Sequence, residues 1–167
     1  MNILVLSPYA PWPPYGGGTM RIYQLIRGIA AVHHVTCLTF VADATAIDAV
    51  RAHLPTVAVH PVVGPVRRSL RHRAWQMLTS LLPDMALRNH DARFQQQLHE
   101  ILRTHTFDGA IVFSIEMAPY MHTVQQHGVP CVFDEFNAEY VIQQRAALTD
   151  MRQPNRWHAA LYSFVQW

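Results

Sequence analysis

Three groups of residues in this chain of 167 could do chemistry. The first is Gly16-Gly17-Gly18 with Arg21, at the end of a proline-rich loop and the start of a helical pattern. Free N–H groups at a helix start, the positive end of its dipole and a forked guanidinium all suit an anion such as phosphate. The second is Glu116, just after Ser114. The third is Asp134-Glu135-Phe136-Asn137-Ala138-Glu139. Carboxylates gathered in one cleft can grip sugar hydroxyls, orient an acceptor group or act as a base. Each group also has a structural use. The glycines could form a loop hinge with Thr19 as N-cap, and Glu116 could be a first-turn acid. Asn137 could be an N-cap with Glu139 favouring the dipole, and Asp134 and Glu135 solvated loop acids.

Several reaction classes are excluded by spacing. Gly16 and Gly18 leave a G-x-G, but Arg21 stands where the third glycine of a dinucleotide fingerprint belongs. The loop is also too long for that tight turn. A nucleotide-dependent oxidoreductase with Asp43 near a ribose is therefore disfavoured. No Gly-Lys-Ser/Thr occurs, which removes a P-loop nucleotidase. None of the 11 histidines falls in His-Glu-x-x-His or a zinc-type Cys/His spacing, so no metal is expected. No Gly-x-Ser-x-Gly elbow marks a serine hydrolase. The net charge of +2 gives no electrostatic case for nucleic acid.

The elements that must position these residues alternate between strand and helix. Apolar strands are expected at about residues 2–7, 35–41, 57–62, 107–113 and 129–134. Helices are expected at about 19–31, 45–53, 117–126, 137–148 and 155–164, with Gly128 as a C-cap. This alternation specifies an α/β fold, a Rossmann-like parallel sheet with helices on both faces. Residues 66–105 interrupt it with a helical excursion that stops at Pro83 and resumes at about Asp91. Ligands of such sheets bind at the carboxyl ends of the strands, where all three groups fall. Cys37 and Cys131 lie in apolar runs and read as buried free thiols, which suits a reducing compartment.

The opening Asn2-Ile-Leu-Val-Leu-Ser-Pro…Pro-Pro-Tyr-Gly-Gly-Gly-Thr…Arg21 resembles the amino-terminal start of GT-B glycosyltransferases of the large retaining family four. Val132–Tyr140 is similar to the Asp-x-His-Asn-x-Glu segment of many such enzymes. The likeness spans about residues 1–150. It implies transfer of a sugar from a nucleotide-sugar, with retention and without a required cofactor or metal, to an acceptor hydroxyl on a sugar or lipid-linked molecule. Gly16, Gly17, Gly18 and Arg21 would meet the donor phosphate or the acceptor. Glu116, Asp134, Glu135, Asn137 and Glu139 would line the acceptor side. Phe136 departs from the pattern where relatives carry a histidine, so no catalytic role carries over there.

In that family a carboxyl-terminal domain supplies most of the nucleotide-sugar site, and nothing of it is found in residues 1–167. The chain reads as a single amino-terminal, acceptor-side domain, apparently truncated and inactive alone. The crowd of Trp157, Leu161, Phe164, Val165 and Trp167 points to a missing second half. The alternative is a non-catalytic binding module that holds an acceptor or partner. With no signal-peptide pattern and no apolar run of about 20 residues, a cytoplasmic location is expected. The basic run Arg67–Arg73 is either a solvated helix face or a peripheral contact with the inner face of an anionic membrane.

Overall fold

The computed structural model describes residues 1–167 except Ala44, Val66, Arg67, Leu81, Pro154 and Trp167. Of Leu70, His72, Ala74, Met77, Leu78, Glu139, Tyr140, Tyr162, Phe164, Val165 and Gln166 it describes the backbone alone. Five strands, β1 (Asn2–Ser7), β2 (His34–Val41), β3 (Val57–Val63), β4 (Gly109–Phe113) and β5 (Cys131–Asp134), form one sheet. Every pairing is parallel and the spatial order is β3-β2-β1-β4-β5, a Rossmann-like sheet of the kind found in one half of a GT-B enzyme.

Strand alternation builds two cores, one on each face. Leu4, Leu6, Leu38 and Phe40 face Phe94 and Leu98 of α5 (Ala92–Thr104) and Tyr120 and Val124 of α6 (Ala118–Gln126). Ile3, Val5, Val35 and Cys37 face Ile22 and Ile26 of α1 (Gly17–Ala30) and Val50 of α2 (Ala46–His53). Gly128 follows α6 at φ +74°, the left-handed conformation that ends a helix most easily without a Cβ. The helices α7 (Glu139–Met151) and α8 (Trp157–Gln166) pack against each other, with Met151, Trp157 and Leu161 exposed.

Two expectations are corrected. Helix α1 begins at Gly17, so Thr19 is not its N-cap. Gly16 holds that place, and the Thr19 hydroxyl accepts from its N–H at 3.0 Å while donating to its carbonyl at 2.9 Å. The second correction concerns the helical excursion, which comprises α3 (Leu70–Thr79), α4 (Asp84–Leu87) and α5. Its basic run is not simply a solvated face. Arg68 and Arg73 each place a guanidinium nitrogen 2.8 Å from Asp84, a carboxylate only 3% exposed. Arg68 also donates to Gln76 at 2.7 Å and to the Asp84 carbonyl at 3.2 Å. A buried carboxylate requires such partners, and these two arginines are within reach. Arg71 stays exposed, and Arg67 lies outside the described residues.

Candidate functional site

The chain leaves β1 towards β2 on one side of the sheet, while β4 lies on its other side. The crevice above the carboxyl ends of β1 and β4 is thus the topological switch point, where open parallel sheets hold their ligands. The loop rising from β1 is fastened rather than loose. The Ser7 hydroxyl donates to the Tyr9 carbonyl at 2.6 Å, and Pro11 is buried. Trp12 stacks on His53 of α2 with ring centres 3.6 Å apart, and meets Tyr23 of α1 at 5.3 Å.

The three glycines at the end of this loop have different surroundings. A Cβ on Gly18 would stand 2.7 Å from the Tyr9 hydroxyl and 3.0 Å from the Phe136 ring. Gly18 therefore lets two aromatic side chains close over the start of α1. A Cβ on Gly17 would meet nothing within 4 Å, and one on Gly16 would meet only Thr19 Oγ1, at 3.7 Å. Open backbone for a ligand is found at Gly16 and Gly17.

Arg21, one turn into α1, is joined to the end of β5. Its Nε donates to both Asp134 oxygens at 3.2 Å, and its Nη2 donates to Oδ2 at 3.1 Å. The Arg21 side chain remains about half exposed, at 52%, against 14% for Asp134. The sequence assigns Arg21 to a donor phosphate or the acceptor and Asp134 to the acceptor side; the fold makes them one forked ion pair. Glu135 follows half-buried and Asn137 exposed, and the side chain of Glu139 lies outside the described residues. The residue preceding α7 as N-cap is Ala138 rather than Asn137.

Glu116 sits in a 3-10 turn (Ile115–Met117) directly after β4. Ser114, which precedes the turn, has φ 69° and ψ 152° and is buried. Its hydroxyl donates to Glu116 Oε2. Glu116 Oε1 faces Arg88 Nη1 at 3.7 Å. Arg88 was not singled out from the sequence. It lies 28 positions away in the excursion, by subtraction of the two residue numbers, and no local motif joins it to Glu116. Its place is set by α4, which packs against the 3-10 turn and is held by Asp84. The neighbouring Asn89 donates to the Pro8 carbonyl at 3.4 Å, tying the excursion to the β1 loop. The Tyr120 hydroxyl completes this bracing, donating to the Asn89 carbonyl at 2.6 Å and accepting from the Asp91 N–H at 2.9 Å. Burial raises the Tyr120 pKa and keeps it a donor.

Other titratable groups fall outside this constellation. Burial pushes the Cys37 thiol up to about 12, and raises Cys131 as well, so neither is activated as a nucleophile. Asp43 Oδ1 accepts from Thr45 Oγ1 at 2.5 Å, from the Thr45 N–H at 2.9 Å and from the Ala46 N–H at 3.1 Å. The acid at the end of β2 thus shapes the entry to α2, and these bonds lower its pKa. Among the described residues, no group of three or more His, Cys, Asp or Glu side chains could hold a metal ion. None of the described helices is long and apolar enough to cross a membrane.

No protein-family model matches this chain, and a search of curated proteins gives no match. Solved structures do resemble it. Two structures of the carboxyl-terminal domain of a hydrogenase from Pyrococcus furiosus superpose with TM-scores of 0.53 and 0.51, each at 14% identity. Each match covers 80% of this chain and 90% of that domain. The glycosyltransferase of kitacinnamycin superposes with a TM-score of 0.51 at 17% identity, over 99% of this chain. This chain spans 41% of the length of that enzyme. At these identities the likeness is one of fold, a Rossmann-like α/β architecture that matches one half of a GT-B enzyme.

Proposed function

We propose that this domain forms the acceptor side of a glycosyltransferase of the retaining family-four type. Together with a second, nucleotide-sugar-binding domain, it would move a sugar from a nucleotide-sugar to an acceptor hydroxyl. The observation that carries this reading is the convergence at the switch point between β1 and β4. Open backbone at Gly16 and Gly17, the Arg21–Asp134 pair and the Ser114–Glu116–Arg88 group all meet that edge. The division of work follows from chemistry. N–H groups at the start of α1 suit the donor diphosphate, and oriented carboxylates suit the hydroxyls of a sugar acceptor. Glu135 and Asn137 extend the acceptor wall, and no metal or other cofactor takes part.

The test is an assay of the full-length protein against a panel of nucleotide-sugars, reading nucleoside diphosphate release with and without candidate acceptors. Release that depends on one nucleotide-sugar supports the reading; no binding and no release from any of them refutes it. In the latter case the domain would be a binding module. Exposed Arg71 and Trp75 on α3 favour an added membrane contact for a lipid-linked acceptor. Flotation with vesicles containing anionic lipid tests this, and equal recovery with neutral vesicles would dismiss it.

A further inference from the structure

Ser114 departs from the ordinary behaviour of a residue in its place. It precedes a 3-10 turn, where a serine hydroxyl normally accepts a hydrogen bond from a backbone N–H of the turn. Here the hydroxyl makes no such bond and donates to the Glu116 carboxylate instead. Its backbone, at φ 69° and ψ 152°, occupies a region that glycine adopts freely and other residues do not. Among the described residues it is the one non-glycine residue with positive φ. The strained residue also stands at the switch point. Its N–H donates to the Asp134 carbonyl at 3.0 Å, locking it between the ends of β4 and β5.

We infer that Ser114 and Arg88 are positioning residues that aim the Glu116 carboxylate at the acceptor hydroxyl, an inference that rests on the glycosyltransferase reading. The Glu116 side chain is 14% exposed, so a small part of it stays open to a ligand. Ser114 occupies one lone pair of Oε2, and Arg88 faces Oε1 from beside α4. A carboxylate offers about four acceptor positions, so capacity remains for a sugar hydroxyl. Glycine at position 114 would give an unstrained backbone but would leave Arg88 alone to hold Glu116. The acceptor this arrangement takes is a neutral polyol, whose hydroxyls donate to a fixed carboxylate.

The experiment compares Ser114→Ala and Ser114→Gly in the full-length protein. Both remove the hydroxyl, and only glycine relieves the backbone. Expected are equal losses of acceptor kcat/KM, about tenfold for a hydrogen bond to a charged group. Donor hydrolysis in the absence of acceptor should fall less than transfer to the acceptor. The glycine variant should melt above the alanine variant. Arg88→Gln should likewise weaken acceptor use more than donor hydrolysis. Unaltered acceptor kinetics in both Ser114 variants would overturn the inference, as would equal losses of donor hydrolysis and acceptor transfer. A second readout needs no turnover: NMR couplings of the Glu116 side chain should report one rotamer in the parent chain and more averaging in both Ser114 variants than in the parent. A rigid Glu116 in those variants would overturn the positioning role. Failure of the underlying reading is distinguishable, because the parent protein would then release no nucleotide from any sugar donor.

Discussion

Substituting alanine at Gly17 and at Gly18 should move stability in opposite directions, although the two positions are adjacent in one helical turn. Alanine is up to about 1 kcal/mol better than glycine in a helix, and about half of that is expected in a first turn. At Gly17 nothing lies within 4 Å of the new methyl group, so the gain is retained. The melting temperature should rise by about 1–2 °C for a chain of this size. At Gly18 the methyl group would overlap the Tyr9 hydroxyl at 2.7 Å and press on two Phe136 ring carbons at 3.0 and 3.2 Å. Both rings pack against the core on the α1 face, so neither swings aside freely. Overpacking of this kind costs about 1–3 kcal/mol. The net loss of about 1–2 kcal/mol should lower the melting temperature by about 3–6 °C. Circular dichroism melts and urea titrations of the two variants measure the difference. A Gly18→Ala chain as stable as Gly17→Ala would refute the assignment of Gly18 to packing. A double-mutant cycle with Phe136→Leu sharpens the test, since the smaller side chain should recover about 1 kcal/mol of the Gly18→Ala loss.

The other predictions concern groups outside the glycine loop. Asp84→Ala should cost about 3–5 kcal/mol, roughly 10 °C in melting temperature, because it strands Arg68 and Arg73 without their carboxylate. Arg71→Ala should stay within about 0.5 kcal/mol of the parent, and equal effects of the two substitutions would discredit the Asp84 cluster. In native protein, Ellman's reagent should leave Cys37 unmodified while Cys131 reacts slowly, since the buried Cys37 thiol is raised to about 12. Rapid modification of both thiols would contradict this. Burial, reinforced by His105 and Arg51, lowers the His60 pKa below its ordinary value of 6.5. The unfolded chain then binds protons that the folded one resists, so stability should fall as pH drops below about 6.5. Unfolding titrations across that range should show a flatter slope in His60→Gln; an unchanged slope would remove His60 as the cause.

The strands and the three loop groups were legible because their signals are local. Continuous apolar runs such as Ile3–Leu6 identify buried parallel strands whatever they later pair with, and all five were expected in place to within about two residues. The start of α1 was misplaced because Thr19 satisfies the cap from the third helical position, a geometry that Gly16 permits but no side chain announces. Helix α4 was missed: four residues are too few to show a period. With it went Arg88, whose contact with Glu116 depends on how the excursion folds back over β4. Ser114 has no sequence signature either, since strain is a property of backbone geometry. The Arg21–Asp134 pair joins residues 113 positions apart. Charge type alone could not distinguish it from a ligand-binding arginine beside a solvated aspartate.

The position of β1 in the sheet bears on how the chain comes off the ribosome. β1 is translated before every strand it pairs with, yet it lies at the middle of the sheet. Its pairing with β2 can form early, and β3 can add to that pair as soon as it emerges. The other edge of β1 must wait for Gly109–Val112, so a row of unpaired backbone groups on an apolar strand stays open until that segment emerges. Nascent chains stalled before β4 should therefore bind trigger-type chaperones or self-associate, and chains stalled after β5 should not. Fast, chaperone-free expression of this domain would be limited by translation order rather than by final stability.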